Sequence, residues 1–277
     1  MQTYRVPLIR RLSPVTWCGG LAALAFVAGM ARAQSGGASA SATSPAVVQK
    51  LETGVSYSRG DYGLATDTEV LVVPFNYVNE TGPWKFRATL PWLHLTGPAA
   101  VVADGGGTAG GPVRPNGSST SGLGDSMLTA TYALAAPPAG WRTDLSAKVK
   151  LPTGDEDRGL GTGEFDYYGQ VDFYRTYASF TPFFNGGYRV LGDGIYQLKD
   201  GFYASGGVVV PIADASSIGG ALNWREAIVA GGDDATEASA FYHTQLSSNW
   251  STTVYAMKGF TDASADYGAG ASFSFKF

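Results

Sequence analysis

The chain has 277 residues, of which 13% are aromatic and 38 are glycine, and its formal net charge is −4 at pH 7. Such an acidic balance argues against nucleic acid as a partner, and no segment after the N-terminal export region approaches the roughly 18 uninterrupted apolar residues of a spanning helix. The composition is instead typical of a soluble all-β protein, or of a barrel whose apolar and polar faces cancel in the average.

The N-terminal region has the three parts of a secretory signal peptide, predicted over residues 1–33. A basic start precedes an apolar run over residues 17–30, and Ala31-Arg32-Ala33 matches a cleavage site. The basic residues are Arg5, Arg10 and Arg11. Cleavage would also remove Cys18, the only cysteine of the chain, so no disulfide is expected in the mature protein. The serine- and alanine-rich residues 34–46 are predicted to form a disordered periplasmic leader.

Residues 47–277 are predicted to form one antiparallel β-barrel of twelve strands. Runs of about a dozen residues, each with one apolar and one polar or small face, are separated by turn-rich stretches. In the fifth run, Lys148 and Lys150 lie on the face opposite Val149, so a soluble core cannot occupy that face. In three other runs, around residues 70–78, 238–246 and 250–257, the sequence does not tell the two faces apart.

The connections between the runs alternate in length, as they do in outer-membrane barrels with short periplasmic turns and longer extracellular loops. The short connections are predicted at residues 79–82, 135–140, 177–179, 213–216 and 247–249. The long ones are predicted at residues 58–66, 97–121, 153–163, 192–201, 230–235 and 261–266. An even number of strands then places both ends of the barrel on the periplasmic side.

The last run, residues 267–277, alternates strictly between large and small side chains. One side carries Tyr267, Ala269, Ala271, Phe273, Phe275 and Phe277. It resembles the terminal strand of bacterial outer-membrane barrels, whose final aromatic residue is recognised by the barrel-assembly machinery; the resemblance implies this role for Phe277. The small residues on the other side are expected to face Lys50 and Glu52 across the barrel seam, and to leave the lumen widest there.

Aromatic residues are predicted to form two girdles at the membrane interfaces. The periplasmic girdle contains Trp84, Tyr132, Trp141, Phe180, Trp250 and Phe277. The extracellular girdle contains Trp92, Phe165, Tyr167, Tyr188, Phe202, Trp224 and Tyr267. A soluble secreted β-sandwich would also have many short strands, but it would not explain these girdles.

Polar and aromatic side chains on the inner face are the candidate functional residues. The candidates for lining the lumen are Lys148, Lys150, Asp166, Tyr168, Asp172, Tyr174, Arg189, Tyr203, Arg225 and His243. Two interpretations are open: a salt-bridged, partly filled interior that makes the barrel rigid, or a narrow channel between the filled eight-stranded and the open sixteen-stranded barrels. The three tyrosines could form a sliding surface for an aromatic solute, or simply pack.

An enzyme is not expected. Gly124-Asp125-Ser126-Met127 looks like the opening of a Gly-Asp-Ser lipase block, but the alternation points Ser126 towards lipid, and only His94 and His243 exist as bases, one near the outer rim and one on another strand. The glycine-rich residues 159–163 lack the strand–helix frame of a dinucleotide loop and are predicted to be flexible. The acidic loops at residues 155–157 and 233–234 lack calcium-loop spacing, so no metal or cofactor is expected.

Two segments resemble an outer-membrane family named for the MetA pathway of phenol degradation. They are Ser121-Gly-Leu-Gly-Asp125, which opens a strand, and Lys150-Leu-Pro-Thr-Gly-Asp, which closes one and continues to Gly163. The segment at residues 184–189 is similar to the Asn-x-Gly-Tyr strand that follows in that family. The resemblance covers residues 123–277 and implies an outer-membrane barrel that passes hydrophobic or aromatic compounds. It implies no catalytic residues.

The expected function is therefore passive passage of small hydrophobic or aromatic compounds across the outer membrane of a Gram-negative bacterium. The expected surroundings are outer-membrane lipid and lipopolysaccharide. The alternative is a structural or adhesive barrel with a closed lumen and no transport activity.

Overall fold

The computed structural model describes residues 47–99, 119–134, 140–192, 194 and 196–277. The predicted signal peptide, the leader and most of the 97–121 connection lie outside the described residues. Within them, the chain is all-β, and no helix is long and apolar enough to cross a membrane.

In the described residues, thirteen strand segments form a single antiparallel sheet. They are β1 (Val47–Gly60), β2 (Thr68–Thr81), β3 (Trp84–Thr96), β4 (Thr120–Leu123), β5 (Ser126–Ala133), β6 (Arg142–Leu151), β7 (Asp166–Tyr174), β8 (Thr181–Val190), β9 (Gly201–Ala213), β10 (Ser216–Arg225), β11 (Ala235–Gln245), β12 (Trp250–Gly259) and β13 (Tyr267–Lys276). Consecutive segments pair, except that β4 and β5 both pair with β3, and β13 pairs with β1, which closes the sheet into a barrel.

The segments β4 and β5 are two parts of one strand, so the predicted twelve-stranded barrel is confirmed. Both pair with β3, and the ladder breaks between them at Gly124 and Asp125. The cause lies in β3, where Pro91 has no N–H to donate to its neighbour. The Pro91 carbonyl still accepts the Gly124 N–H at 2.9 Å, and the side chain of Asp125 is left to bond elsewhere.

The barrel wall has polar side chains on its inner face and apolar side chains on its outer face, which is the reverse of a soluble protein. In β6 the ionisable residues Asp144, Lys148 and Lys150 are buried, whereas Leu145 is 42% exposed. Outward-facing apolar side chains continue around the wall, and Phe75, Leu222 and Phe273 are examples of exposed ones. An apolar exterior around a polar interior is the arrangement of a transmembrane barrel.

The three strands with ambiguous faces have a common explanation. In β2, Val70, Val72 and Val78 are buried inside while Phe75 faces outward, so both faces are apolar. In β11 and β12, Phe241 and Tyr255 likewise point inward. Part of the interior is therefore apolar, and there the contrast on which the sequence argument depends is lost.

The seam between β1 and β13 has the predicted register but not the predicted space. Lys50 pairs with Lys276 and Glu52 with Ser274, as expected. Side chains of β12 fill the gap above the glycines. The Tyr255 ring lies where a Cβ on Gly270 would be, and Met257 Cγ lies 3.0 Å from a Cβ position on Gly268. The expectation of a wider lumen along this wall is therefore wrong.

The long loops fold inward at one end of the barrel. In the loop of residues 152–165, Leu160 and Thr162 are each 1% exposed, so the prediction of a flexible stretch at residues 159–163 is wrong. In the loops of residues 191–200 and 260–266, Leu198 and Ala265 are also buried. The described part of the long-loop end is thus packed with side chains.

Candidate functional site: the barrel lumen

Inward-facing residues of neighbouring strands form rows. Register partners lie opposite each other, and because barrel strands tilt by roughly 35–45° to the axis, a row of partners climbs as it goes around the wall. A row that begins at the short-turn end of β7 therefore reaches the long-loop end by β2 and β3. Each row is a diagonal path through the lumen.

Two neighbouring rows form an apolar band along such a diagonal. The first row contains Tyr174, Phe183, Gly207, Ala221, Ser239, Met257, Gly268, Ser58, Val70 and Leu95. The second contains Thr181, Val209, Gly219, Phe241, Tyr255, Gly270, Ser56, Val72 and Leu93. The buried members from β7 to β12 form one contact cluster with Ala265, and those of β2 and β3 form another with Leu160. The band runs through most of the lumen.

The aromatic rings of the band lie flat along the wall because glycines face them. Phe241 covers Gly219, and Phe183 covers Gly207, with Cε1 only 2.9 Å from where a Cβ on Gly207 would be. A side chain at either glycine would push the ring towards the barrel axis. The glycines therefore keep the rings on the wall.

Tyr62, in the loop of residues 61–67, joins the two parts of the band. Its ring packs against both the Phe241 cluster and the Leu93 cluster. Its backbone is left-handed, with φ of 51°, which is an uncommon conformation for a bulky residue. Burial raises the pKa of the Tyr62 hydroxyl above its ordinary value, so the ring enters the lumen uncharged.

Ion pairs occupy the wall beside the band. Lys50 bonds Glu80 at 2.8 Å and Arg87 bonds Glu52 at 2.7 Å, linking β1 to β2 and β3. Near the long-loop end, Arg225 bonds Glu237 at 2.7 Å. Pairing of this kind offsets part of the cost of burying charges inside a barrel, and these charged side chains lie next to the apolar band on the same strands.

A fully buried ion cluster holds the loop of residues 152–165. Lys150 Nζ lies 3.2 Å from Asp125 Oδ2 and 2.7 Å from Asp166 Oδ2, and all three side chains are 0% exposed. Asp125 also accepts the N–H groups of Gly154 and Thr162, at 2.9 and 3.1 Å. The break in the ladder at Pro91 thus frees Asp125 to fix the loop.

The loop of residues 191–200 is held in a similar way. Asp166 Oδ1 accepts the Gly192 N–H at 2.9 Å, and Tyr196 and Leu198 pack with Tyr168 and Tyr203 of the wall.

The loop of residues 226–234, which neighbours the loop of residues 191–200, is bonded to the start of β9. The Phe202 N–H and the Lys199 ammonium hold the pKa of Glu226 below its usual range. Both loops are therefore fastened to the wall by carboxylates.

The ten lumen candidates named from the sequence all lie on the inner face of the wall, each 8% exposed or less. Lys150 and Asp166 join in the buried ion cluster, and Tyr174 lies in the apolar band. Lys148 Nζ sits 3.6 Å from the ring centroid of Tyr168. Whether these residues contact a solute stays a prediction.

Sequence reasoning missed the apolar band. Phe183, Val209, Phe241 and Tyr255 were not among the candidates, because an inward aromatic has the same identity as a lipid-facing one. The available signal was a glycine on the neighbouring strand at the facing position, such as Gly219 opposite Phe241, and this signal requires the register.

The described residues around Ser126 do not assemble a hydrolase site. Ser126 Oγ bonds Thr153 Oγ1 at 2.9 Å. His94 Nδ1 bonds Ser121 at 2.5 Å and His243 Nδ1 bonds Thr253 at 3.0 Å. In the part of the chain that the structure describes, no group of three or more histidine, cysteine or acidic residues could hold a metal ion.

This barrel is similar to known proteins in both sequence profile and fold. The profile of the family named for the MetA pathway of phenol degradation matches residues 52–277, and comparison with curated sequences gives no match. An outer-membrane channel from Pseudomonas putida F1 aligns with a TM-score of 0.60 and 12% identity, over 86% of this chain and 97% of that chain.

Two porins have a similar fold at lower identity. The NanC porin aligns with a TM-score of 0.52 and 10% identity, over 82% of this chain and all of that one. The KdgM porin aligns with a TM-score of 0.50 and 7% identity, over 82% and 99%. At such identities the likeness shows a shared fold, which is that of outer-membrane barrels.

Proposed function

Because the chain belongs to the family named for the MetA pathway of phenol degradation, we propose that it is an outer-membrane channel for the passive passage of small hydrophobic or aromatic compounds. The twelve-stranded fold shared with outer-membrane channels and porins supports the location and the channel role. The exposed apolar exterior is the surface for outer-membrane lipid, with lipopolysaccharide around its outer rim.

The observation that carries the solute class is the apolar band. A hydrophobic solute gains little from a lumen lined only by charges, because it must compete there with hydration of the ion pairs. Buried rings such as Phe183, Phe241 and Tyr255 give it a surface on which each aromatic contact contributes about 0.5–1.5 kcal/mol. The band extends from the short-turn end to the inward-folded loops, so the solute can exchange one ring contact for the next.

Uptake of a labelled monoaromatic compound tests this proposal. Cells that carry the gene are expected to take up the compound faster at limiting concentration than cells that lack it. Equal initial rates would refute the proposal.

A pair of variants tests the role of the band. Phe241→Ser removes one ring of the band and is expected to lower the uptake rate about fivefold, which corresponds to the loss of about 1 kcal/mol of contact. Phe184→Leu changes a lipid-facing ring that is 48% exposed and should leave uptake unchanged. Equal losses in the two variants would mean that the band does not contact the solute.

One observation favours the second candidate, a structural barrel with a closed lumen. The loops that contain Leu160 and Leu198 fold inward and bury these side chains. A closed barrel predicts no single-channel conductance in planar bilayers, whereas the proposed channel predicts measurable conductance.

A further inference from the structure

Four inward-facing polar residues lie in register on four neighbouring strands. Asp144 of β6 pairs with Asp172 of β7, Asp172 with Asn185 of β8, and Asn185 with Ser205 of β9. We call these four residues the polar row. Directly opposed side chains of adjacent strands have Cβ atoms about 4.5–5.5 Å apart, so one small molecule can contact two or three of them.

Each residue of the polar row has a buried polar atom without a hydrogen-bond partner among the described residues. The atoms are Asp144 Oδ1, Asp172 Oδ2, Asn185 Nδ2 and Ser205 Oγ. Asp144 is 6% exposed, and Asp172 and Asn185 are each 5% exposed. Buried polar groups in folded proteins are nearly always paired, so four such atoms in one row point to a ligand-binding function.

Within the described residues, the carboxylate of Asp172 has one bonded and one unbonded oxygen, so it can accept a hydrogen bond from a ligand. Its Oδ1 accepts a hydrogen bond from Gln170 Nε2 at 2.7 Å, and its other oxygen is the unpaired one. Lys85 and Arg142 act electrostatically on Asp144, and Lys85 on Asp172, but burial is the larger effect on both acidic side chains. A further buried charge beside them would be costly, so the row suits a neutral hydrogen-bonding group better than an ion.

Aromatic rings lie on both sides of the polar row. The adjacent row towards the short-turn end contains Tyr174 and Phe183, and the adjacent row towards the loops contains Tyr203. Inward-facing residues on one strand are about 6.7 Å apart, which leaves each ring next to the polar row. A ligand with one flat apolar ring and one hydrogen-bonding group matches this arrangement.

We propose that the polar row is a binding subsite for neutral aromatic rings that carry a hydroxyl group. The hydroxyl donates to Asp172 Oδ2 and accepts from Asn185 Nδ2, while the ring contacts Phe183. This inference rests on the proposed function, because it assumes that aromatic solutes enter the lumen. It adds a preference: an unsubstituted hydrocarbon would leave the polar atoms unpaired, and an aromatic carboxylate would face two acidic side chains.

Equilibrium binding to the purified full-length barrel in lipid nanodiscs tests the preference. Saturation-transfer NMR would measure dissociation constants for phenol, toluene and benzoate, with nanodiscs that lack protein to subtract partition into lipid. Phenol is expected to bind about tenfold more tightly than toluene, as for one strong additional hydrogen bond, and benzoate more weakly than phenol. Equal constants for phenol and toluene would overturn the proposal.

A matched pair of serine variants locates the subsite. Ser205→Ala should reduce the preference for phenol, and Asn185→Leu should abolish it. Ser217→Ala changes a buried inward-facing serine of the neighbouring strand β10, outside the polar row, and should keep the full preference. If Ser217→Ala reduced the preference as much as Ser205→Ala, the assignment to the polar row would be wrong.

The outcomes separate the two proposals. Uptake of toluene and phenol at equal rates, with equal binding, would refute only the subsite. Failure of the gene to increase uptake of either compound would refute the channel for aromatic compounds, whatever the binding data show.

Discussion

Tyr62 and Gln197 share an unusual backbone and differ in what their side chains do. Both are non-glycine residues with positive φ, 51° and 49°, a conformation that costs such residues about 1–3 kcal/mol. The ring of Tyr62 joins the two parts of the apolar band, whereas Gln197 is exposed. The packing of the Tyr62 ring offsets this cost and holds the ring between the two parts of the band.

Replacement of these residues by glycine separates strain from obstruction. Tyr62→Gly is expected to increase single-channel conductance, because it removes the ring from the outer end of the lumen. Gln197→Gly relieves similar strain without changing the lumen and should leave conductance unchanged. Planar-bilayer recordings of both refolded variants make the comparison, and unchanged conductance in Tyr62→Gly would show that the ring is not at the constriction.

At the level of single residues, the sequence predicts orientation better than contacts. Alternation places Lys150, Asp166 and Arg225 on the inner face because a charge on the lipid face is expensive. It does not pair Lys150 with Asp125, since that contact depends on the break in the ladder at Pro91. Aromatic residues such as Phe241 have no such orientation signal, because a ring is stable both in lipid and in an apolar part of the lumen.

The loop of residues 152–165 is fixed by the ends of three strand segments. Lys150 at the end of β6 lies between Asp125, just before β5, and Asp166, at the start of β7. The segments Ser121–Asp125 and Lys150–Gly163, which carry the family resemblance, contribute most of this cluster. The resemblance of these segments to the family therefore has a structural explanation, because their residues hold the loop of residues 152–165 against the barrel wall.

Removal of the central cation tests this role. Lys150→Met is expected to lower the free energy of unfolding by about 3–5 kcal/mol, because two carboxylates remain buried without their cation. Lys148→Met, on the same face of β6, removes a cation that lies over the Tyr168 ring and should cost about 1 kcal/mol. Urea titration of both proteins in liposomes measures the difference, and equal losses would contradict a special role for Lys150.

The strands could be predicted from the sequence because a membrane-spanning strand alternates between apolar and polar residues. The connection lengths could be predicted because connections are short on one side of the membrane and long on the other. The division of the fourth strand into β4 and β5 could not be predicted, since it results from a proline on the neighbouring strand. The inward folding of the loop around Leu160 was also missed, because a glycine-rich sequence is compatible with both mobile and tightly packed loops.

For the whole molecule, closure joins β1 to β13 and completes the aromatic surface at the short-turn end. Trp250 packs on Phe275 with ring centroids 4.8 Å apart, and Phe275 stacks on Phe277. The Phe277 N–H donates to the Gln49 carbonyl at 3.1 Å, but its ring is 55% exposed. The resemblance of the final strand predicts that this exposed ring is recognised by the barrel-assembly machinery.

Substitution of Phe277 distinguishes assembly from stability. Phe277→Ala is expected to reduce the amount of folded barrel in cells severalfold, while refolding of the purified chain into liposomes stays nearly unchanged, since surface substitutions usually cost less than about 0.5 kcal/mol. Phe273→Ala, a lipid-facing control that is 48% exposed, should not reduce cellular assembly to the same extent. Loss of both cellular assembly and refolding in Phe277→Ala would indicate a structural role instead.

The diagonal course of the apolar band has a consequence for molecular shape. A solute that stays on the band passes from Tyr174 near one end to Leu95 near the other, and on the way it crosses the strands from β7 through β13 to β3. Its path is therefore helical, and the solute turns about the barrel axis as it advances. On the proposed path a compact ring can turn at every level, whereas a long rigid molecule of the same width cannot, so we expect the channel to favour short solutes.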